Sequence, residues 1–216
     1  MELVWYGHAC FRLRGKDATV ITDPFDRRLG LPLPRMQADI VTVSNDRPDH
    51  SNVAAVGGSP RVVDGPGEYD IAGVVIAGIA TQKREPGRAR APRPRNTAYV
   101  IEIDGLTVCH LGDLADVPDA AVVEQIGNID VLLIPVGGHE TINATQATEV
   151  ISLLEPRLVV PMHFRTPELA IELDPIEPFV REMGLKELQP QPRLSLSAGS
   201  LPEETEVVLL DYRHRG

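Results

Sequence analysis

Aromatic residues and cysteines are both scarce in this sequence. Aromatic residues make up 4% of the 216 residues, so the core must be built mainly from Val, Ile, Leu and Ala. The two cysteines, Cys10 and Cys109, each lie in an apolar, strand-like segment. Two thiols do not make a disulfide framework, and free cysteine is commonly buried. The composition therefore favours a reducing, cytoplasmic compartment.

Long apolar runs and an excess of positive charge are missing as well. No segment approaches the ~18 uninterrupted apolar residues that a membrane span needs, and the start, MELVWYGHACFRL, lacks the features of a signal peptide. The net charge is −10, and an acidic surface repels nucleic-acid phosphates and anionic lipids. We therefore expect a small-molecule substrate, with neither a nucleic acid nor a membrane as partner. The oligomeric state is not indicated.

One basic run, KREPGRARAPRPR at residues 83–95, interrupts the acidic composition. It could act as a clamp for an anionic substrate. It could equally be a solvated loop, which is the usual state of a stretch rich in Pro and Arg that has no periodicity. The sequence leaves both interpretations open.

The order of the predicted elements indicates an α/β fold. Runs rich in branched residues predict strands at 3–6, 10–14, 19–22, 39–43, 61–63, 71–79, 98–103, 106–110, 131–136, 158–162, 194–196 and 207–210. Helical spacing predicts helices at 117–126, 145–154 and 175–183. The dipeptide Asp104-Gly105 predicts a hairpin, whereas GPGEYD predicts a turn. No repeat or linker divides the chain, so we expect one domain over residues 1–216.

Acidic and imidazole side chains follow three of the predicted strands. Asp49 and His50 lie in SNDRPDH after the fourth strand, Asp113 ends HLGD, and His163 lies in PMHF. Taken alone, an Asp-His pair more often caps a helix or completes a turn. Three strand ends that each deliver an Asp or a His are instead typical of a metal site, because both groups bind zinc and similar divalent ions.

Several motifs, taken in order along the chain, resemble the metallo-β-lactamase superfamily. They are GHACFRL, ITDPF, VTVS-x-D-x-PDHSN, GPGEYDIAGV, NTAYVIEIDGL, VCHLGDL, IPVGG-x-x-TI and VVPMHF. The nearest group is that of small bacterial zinc-dependent hydrolases related to the L-ascorbate-6-phosphate lactonase-like branch. The resemblance covers essentially the whole chain. It implies a four-layer αββα sandwich with metals at one edge.

The first metal-binding loop departs from the family pattern. In that superfamily the loop is His-x-His-x-Asp-His, and here Asp49 and His50 match its last two ligands. Asn45 and Arg47 stand at the first two histidine positions. The resemblance therefore implies that the first metal has lost part of its shell.

The second metal's shell is retained. Asp113 matches the acid that bridges the two metals, and His163 matches the final histidine. A further first-metal histidine normally follows the GIAT-like strand, where this chain has Gln82 or Lys83. The resemblance thus implies one divalent ion, zinc or another such as manganese, with no ion as the alternative. Its expected ligands are Asp49, His50, Asp113 and His163.

A cation can take the place of the missing ion. We hypothesise that Arg47, with or without Lys83, replaces the first ion electrostatically, because a guanidinium pairs with carboxylates and keeps its charge. Two tightly bound metals per chain would contradict this hypothesis. We assign catalytic roles to Asp49 and Arg47 and substrate binding to His8 and Lys83.

Other polar residues have two interpretations each. His8 could line the pocket or be structural, and Asp23 could orient a metal ligand or merely cap a turn. His139 could add a ligand, which the sequence does not decide. His110 should face away from Asp113 by strand alternation, so a core position is expected for it.

The expected function is that of a metal-dependent hydrolase acting on an ester, a lactone or a phosphoester. A divalent ion would activate water, and Asp49 would orient or deprotonate it. The alternative is a catalytically inactive protein of the same fold that binds a small anion or a protein partner. Nucleic-acid processing is disfavoured by the acidic surface.

Overall fold

The computed structural model describes residues 1–32, 34–81 and 96–213. The basic run at 83–95, with Lys83, therefore lies outside the described residues, as does Gln82. In chain order the described strands are β1 (Glu2–Gly7), β2 (Cys10–Arg14), β3 (Thr19–Thr22), β4 (Met36–Gln37), β5 (Ile40–Thr42), β6 (Val56–Gly57), β7 (Arg61–Val63), β8 (Gly67–Ile71), β9 (Val74–Ala80), β10 (Thr97–Ile103), β11 (Leu106–His110), β12 (Val131–Pro135), β13 (Leu158–Met162), β14 (Leu194–Ser195) and β15 (Glu206–Val207). The α-helices are α1 (Ala120–Ile126), α2 (Ala144–Leu154) and α3 (Glu177–Glu182).

Two mixed sheets hold most of these strands. The first has the order β14-β1-β2-β3-β5-β7, and the second has the order β15-β13-β12-β11-β10-β9-β8. Strands β3, β5 and β7 run parallel in the first sheet, and β11, β12, β13 and β15 run parallel in the second. Because parallel neighbours end at the same edge, the loops that follow them meet there.

The two sheets pack on each other through apolar side chains and a few polar contacts. Tyr99 on β10 is fully buried, and its hydroxyl donates to the backbone oxygens of Val43 (2.8 Å) and Val63 (3.1 Å) in the other sheet. The backbone N–H of Thr97 donates to the oxygen of Ser44 at 2.8 Å. Tyr99 thus connects the two sheets, and the predicted α/β fold is confirmed.

Most predicted strands match the structure, but two do not. The strand predicted at 207–210 is a strand only at Val207, since β15 is Glu206–Val207 and Leu210 forms an isolated bridge. The prediction of a single strand at 71–79 is wrong, as is the prediction of a turn over GPGEYD. Strands β8 and β9 form a hairpin whose turn is Ala72-Gly73, both with positive φ (52° and 77°). Strand β8 lies at the sheet edge with Glu68 and Asp70 exposed, so it lacks the apolar pattern from which strands are predicted.

The helices begin where capping residues allow. Helix α1 begins at Ala120 rather than at 117, because Pro118 disfavours helical geometry at Val117 and the Asp119 side chain caps the N–H of Val122. Helix α2 begins with a capping box between Asn143 and Gln146. Within the described ranges, none of the helices is both long and apolar enough to cross a membrane.

Candidate metal centre

The predicted site residues meet at one edge of the two sheets. His8 follows β1, Asp49 and His50 lie in the loop after β5, and His163 follows β13. One ligand atom from each of these four residues lies within 4.8 Å of the other three. We call these four residues the donor cluster. Residues that are up to 155 positions apart in the chain are thus brought together by the sheets. For Asp49, His50 and His163 this convergence is what their positions at strand ends predicted.

The spacing within the donor cluster suits a divalent ion. The Asp49 Oδ2 atom lies 3.7 Å from His50 Nε2 and also accepts a hydrogen bond from His8 Nε2 at 3.2 Å. A tetrahedral zinc ion with ligands at about 2.0–2.1 Å separates neighbouring ligand atoms by about 3.3 Å. Only small side-chain movements would therefore be needed to hold an ion.

Asp113 lies beside the donor cluster. Its Oδ1 atom is 3.6 Å from His163 Nε2, and the side chain is 6% exposed. Three of the four expected ligands, Asp49, His50 and His163, thus lie in the donor cluster together with His8, and Asp113 lies next to it. The role of these residues as ligands stays a prediction.

Buried donor atoms without hydrogen-bond partners support a bound ion. Among the described residues, His50 Nε2, both ring nitrogens of His163 and Asp113 Oδ1 are buried and make no hydrogen bond. Leaving a buried polar atom unsatisfied costs about 1–3 kcal/mol. Several such atoms on neighbouring side chains indicate a place for a cation, and the residues present fit a divalent metal.

Asp23 fixes the orientation of His50. Its Oδ2 atom accepts hydrogen bonds from His50 Nδ1 (2.8 Å) and from the Ser44 hydroxyl (2.6 Å), and its Oδ1 atom accepts from the Ser44 backbone N–H (2.7 Å). Because His50 Nδ1 carries the donated proton, Nε2 presents its lone pair to the donor cluster in the neutral ring. Of the two interpretations of Asp23, the geometry favours the one in which it orients a metal ligand.

The Asp23–His50 pair has opposed pKa shifts. Burial acts to lower the pKa of His50, but the hydrogen bond and charge of Asp23 outweigh it, and the pKa is raised. Burial acts to raise the pKa of Asp23, but the charges of His110 and His50 and the bond from His50 lower it. Each partner therefore stabilises the charged form of the other.

The remaining imidazoles are held neutral. Burial lowers the pKa of His8 to about 4 and lowers the pKa of His163 well below its usual value. Burial also raises the pKa of Asp113. Burial tends to raise the pKa of Asp49 too, but the hydrogen bond from His8 and the charges of His50 and Arg47 lower it. Neutral imidazoles beside an ionised carboxylate are what divalent metals bind.

Arg47 points toward the same carboxylates. Its Nη1 atom donates to Asp113 Oδ2 at 3.0 Å, and its Nε atom lies 3.5 Å from Asp49 Oδ1. Nη1 also lies 2.5 Å from Glu140 Oε2. Asn45 supports the loop instead, since its Oδ1 atom accepts the backbone N–H of Arg47 at 3.0 Å. Of Asn45 and Arg47, which stand where the superfamily resemblance predicts histidines, Arg47 is the one that brings a charge to the site.

The backbone around the site is tightly constrained. His8, Asp23 and His163 have left-handed φ angles of 53°, 38° and 53°. Such angles are uncommon for non-glycine residues, and residues that adopt them cluster at functional sites. A Cβ atom at Gly137 would lie 2.1 Å from the backbone oxygen of His163, so only glycine allows the two strand ends to approach this closely.

Other predicted residues lie apart from the donor cluster. His110 is fully buried, and its Nε2 atom donates to the Ala9 backbone oxygen at 2.8 Å, which confirms the core position. His139 is not part of the donor cluster, and its Nε2 atom lies 3.9 Å from Asp174 Oδ1. Glu140, which contacts Arg47, was not predicted as a site residue. The only sequence signal is its position after Gly137-Gly138 at the end of a strand.

Comparisons with known proteins agree with this geometry. A family model described as the β-lactamase superfamily domain matches residues 2–163. A solved structure from Thermotoga maritima, described as a candidate Zn-dependent hydrolase of the metallo-β-lactamase superfamily, is 39% identical, with a TM-score of 0.79 and 97% coverage of both chains. A metal-dependent hydrolase from Pelotomaculum thermopropionicum is 31% identical and covers 82% of this chain and 90% of its own. One from Thermoplasma volcanium is 28% identical, covering 82% and 88%.

Proposed function

Because the chain belongs to the metallo-β-lactamase superfamily, with the αββα fold class that its motifs predicted, we propose that it hydrolyses its substrate with one divalent ion. The chain is an enzyme of the metal-dependent hydrolase class. We further propose that the ion is held by Asp49, His50, Asp113 and His163. The proposed substrate is an ester, a lactone or a phosphoester. Imidazole and carboxylate donors suit zinc, and manganese is the second candidate.

The observation that carries this proposal is the convergence of unpartnered donor atoms. His50 Nε2, His163 Nε2 and Asp113 Oδ1 are buried and make no hydrogen bond among the described residues. The two histidines belong to the donor cluster, and Asp113 Oδ1 lies 3.6 Å from His163 Nε2. In a purely structural cluster most of these atoms would pair with one another or with the backbone, as His110 Nε2 does, although His110 Nδ1 is unpaired among the described residues as well.

A single ion is favoured by Arg47. Its guanidinium contacts both Asp49 and Asp113, the two carboxylates beside which a first ion would otherwise lie. The cation therefore neutralises the same charges without needing ligands of its own. This supports the hypothesis that Arg47 replaces the first metal; Lys83 lies outside the described residues, so its part in that replacement stays a prediction.

Each residue of the site has a separate role in the proposed hydrolysis. A divalent ion in the donor cluster would polarise the substrate oxygen and lower the pKa of water to about 7. The pKa of Asp49 is lowered, so its carboxylate is ionised and would accept a hydrogen bond from the attacking water. Asp49 would therefore orient this water rather than take up and keep its proton. His8 donates to Asp49 and fixes that carboxylate, whereas Arg47 stabilises negative charge that develops on the substrate.

The test is the metal content per chain of protein purified without chelator. We expect about one zinc or manganese ion in the wild type and less than a tenth of that in His163→Ala. His139→Ala is the matched control, because His139 is a nearby histidine outside the donor cluster. It should keep the wild-type metal content. Esters, lactones and phosphoesters are then screened with the loaded protein.

Two outcomes would contradict the proposal. Two tightly bound ions per chain would exclude the replacement of the first metal by Arg47. No ion in the wild type, even after dialysis against zinc or manganese, would favour the alternative of a catalytically inactive protein that binds a small anion or a protein partner.

A further inference from the structure

Glu140 places an additional carboxylate at a site that is already acidic. Its side chain is 72% exposed, yet its Oε2 atom lies 2.5 Å from Arg47 Nη1. The same nitrogen donates to Asp113, and Arg47 Nε faces Asp49. Three carboxylates therefore surround one guanidinium. A third carboxylate is unexpected here, because two acids already balance more than the charge of Arg47.

The loop that carries Glu140 is firmly built. Gly138 and His139 have left-handed φ angles of 62° and 58°, and the backbone N–H and the hydroxyl of Thr141 both donate to the Gly138 oxygen at 3.0 Å. The Ile142 N–H donates to the Leu114 oxygen at 2.8 Å. A non-glycine residue in this conformation marks a turn that is held by its surroundings. Glu140 is thus placed next to Arg47 by the fold.

The three carboxylates differ in how easily another anion could displace them from Arg47. The side chains of Asp113 and Asp49 are 6% and 15% exposed and belong to the site, whereas Glu140 is 72% exposed. Exposed ion pairs contribute little to stability, because water competes for both partners. Of the three carboxylates, Glu140, on the solvent-exposed side of Arg47, is therefore the one that another anion can displace.

We propose that Glu140 occupies the position of a carboxylate group of the substrate and that a substrate carboxylate displaces it from Arg47. The inference rests on the proposed hydrolase function and narrows its substrates to esters or lactones that carry a free carboxylate. A guanidinium binds a carboxylate with charge-assisted hydrogen bonds. A singly charged carboxylate is favoured over a phosphate dianion, because Asp49 and Asp113 remain beside it and the whole chain carries a net charge of −10.

The experiment measures binding and does not depend on turnover. Monomethyl glutarate, which has one carboxylate, is titrated calorimetrically into the wild type and into Glu140→Gln, with methyl phosphate and dimethyl glutarate as the dianionic and neutral probes. We expect Glu140→Gln to bind monomethyl glutarate at least tenfold more tightly, because the competing carboxylate is gone. Dimethyl glutarate should show no such gain.

We call the position beside Arg47 that Glu140 occupies the carboxylate subsite. Three controls test whether the gain in affinity is specific to this subsite and independent of the metal. Glu149→Gln removes the same charge from an exposed position on helix α2 and should bind like the wild type. In an Arg47→Gln background, Glu140→Gln should have no effect. The same gain is expected in metal-depleted His163→Ala, so a failure of the metal proposal leaves this test interpretable.

Two results would overturn the proposal. Equal affinity of the wild type and Glu140→Gln for monomethyl glutarate would mean that Glu140 does not compete for the subsite. A larger gain for methyl phosphate than for the carboxylate would assign the subsite to phosphorylated substrates instead.

Discussion

Asp23 determines which ring nitrogen of His50 faces the donor cluster. It is fully buried and accepts three hydrogen bonds, of which the one from His50 Nδ1 is 2.8 Å long. The negative charge of Asp23 also makes the ring a stronger donor to a metal. Asp23 is therefore a positioning residue, and its contribution can be measured without a substrate.

We expect Asp23→Asn to lower the affinity for zinc by about 10–100-fold, the range typical of groups that orient metal ligands. The amide has a similar shape but no charge, and its NH₂ group can turn toward His50 and reverse the tautomer. The affinity is measured by competition with a chromophoric chelator.

The control for this substitution is Asp26→Asn. Asp26 is a nearby carboxylate that pairs with Arg28 at 3.0 Å outside the donor cluster, so its variant should keep the wild-type zinc affinity. If Asp23→Asn also retained that affinity, the positioning role of Asp23 would be wrong.

The sequence predicted the residue types at the site better than their contacts. Asp49, His50, Asp113 and His163 could be identified because each stands at a strand end in a motif of recognisable chemistry. The direction of the Arg47 side chain depends on rotamers and on partners that are distant in the chain. Glu140 carries no local signal, since one acid in a glycine-containing loop is ordinary.

Strands β12 and β13 run side by side and end in two loops of the site. Five residue pairs align along them, from Val131–Leu158 to Pro135–Met162. The backbone of Gly137 then passes so close to His163 that a Cβ atom would lie 2.1 Å from its oxygen. The position of His163 thus depends on a residue that has no side chain.

Gly137→Ala should weaken both the fold and the metal site. The clash is with backbone atoms, so either the loop or His163 must move, and overpacking of this kind costs about 1–3 kcal/mol. Denaturant unfolding and zinc titration of the same variant give the two values. We also expect zinc affinity to fall, because His163 carries a ligand atom of the donor cluster.

Gly199→Ala is the matched control for this prediction. A Cβ atom there would meet nothing within 4 Å, so the free energy of unfolding and the zinc affinity should stay close to those of the wild type. Zinc binding that is unchanged in Gly137→Ala would show that the close approach does not position His163.

The elements themselves were largely predictable, for a physical reason. Strands buried on one or both faces have apolar patterns that the sequence shows directly, as in β11 and β13. The edge strand β8 and the two-residue turn at Ala72-Gly73 do not, because an exposed edge needs no such pattern. The packing of one sheet on the other required contacts such as Tyr99 with Val43, which no local pattern encodes.

The C-terminal segment, residues 194–213, which we call the tail, packs against the N-terminal strand β1. Strand β14 pairs with β1, and the Tyr212 ring packs edge-on against Trp5 with the ring centroids 5.6 Å apart. The Tyr212 hydroxyl donates to Glu168. Trp5 also contacts Phe164, next to His163, with a centroid distance of 5.1 Å. The tail therefore supports the core beneath the donor cluster.

Tyr212 should make the stability of the whole molecule fall at alkaline pH. Burial, together with the hydrogen bond to Glu168, raises the pKa of Tyr212 to about 12, whereas an unfolded tyrosine has a pKa of about 10. Between these values the folded chain holds a proton that the unfolded chain releases, so the free energy of unfolding decreases as pH rises. The contribution is fully present below about pH 10.

Comparison of the wild type with Tyr212→Phe isolates this contribution, because Tyr6 and Tyr99, whose pKa values are also raised, are common to both proteins. Guanidinium unfolding at pH 9, 10, 11 and 12 gives the free energy of unfolding of each. We expect the advantage of the wild type over the variant to shrink steadily above pH 10. A difference that stays constant over this range would mean that the Tyr212 hydroxyl is as free to ionise in the folded chain as in the unfolded one, and that the tail is held by ring packing alone.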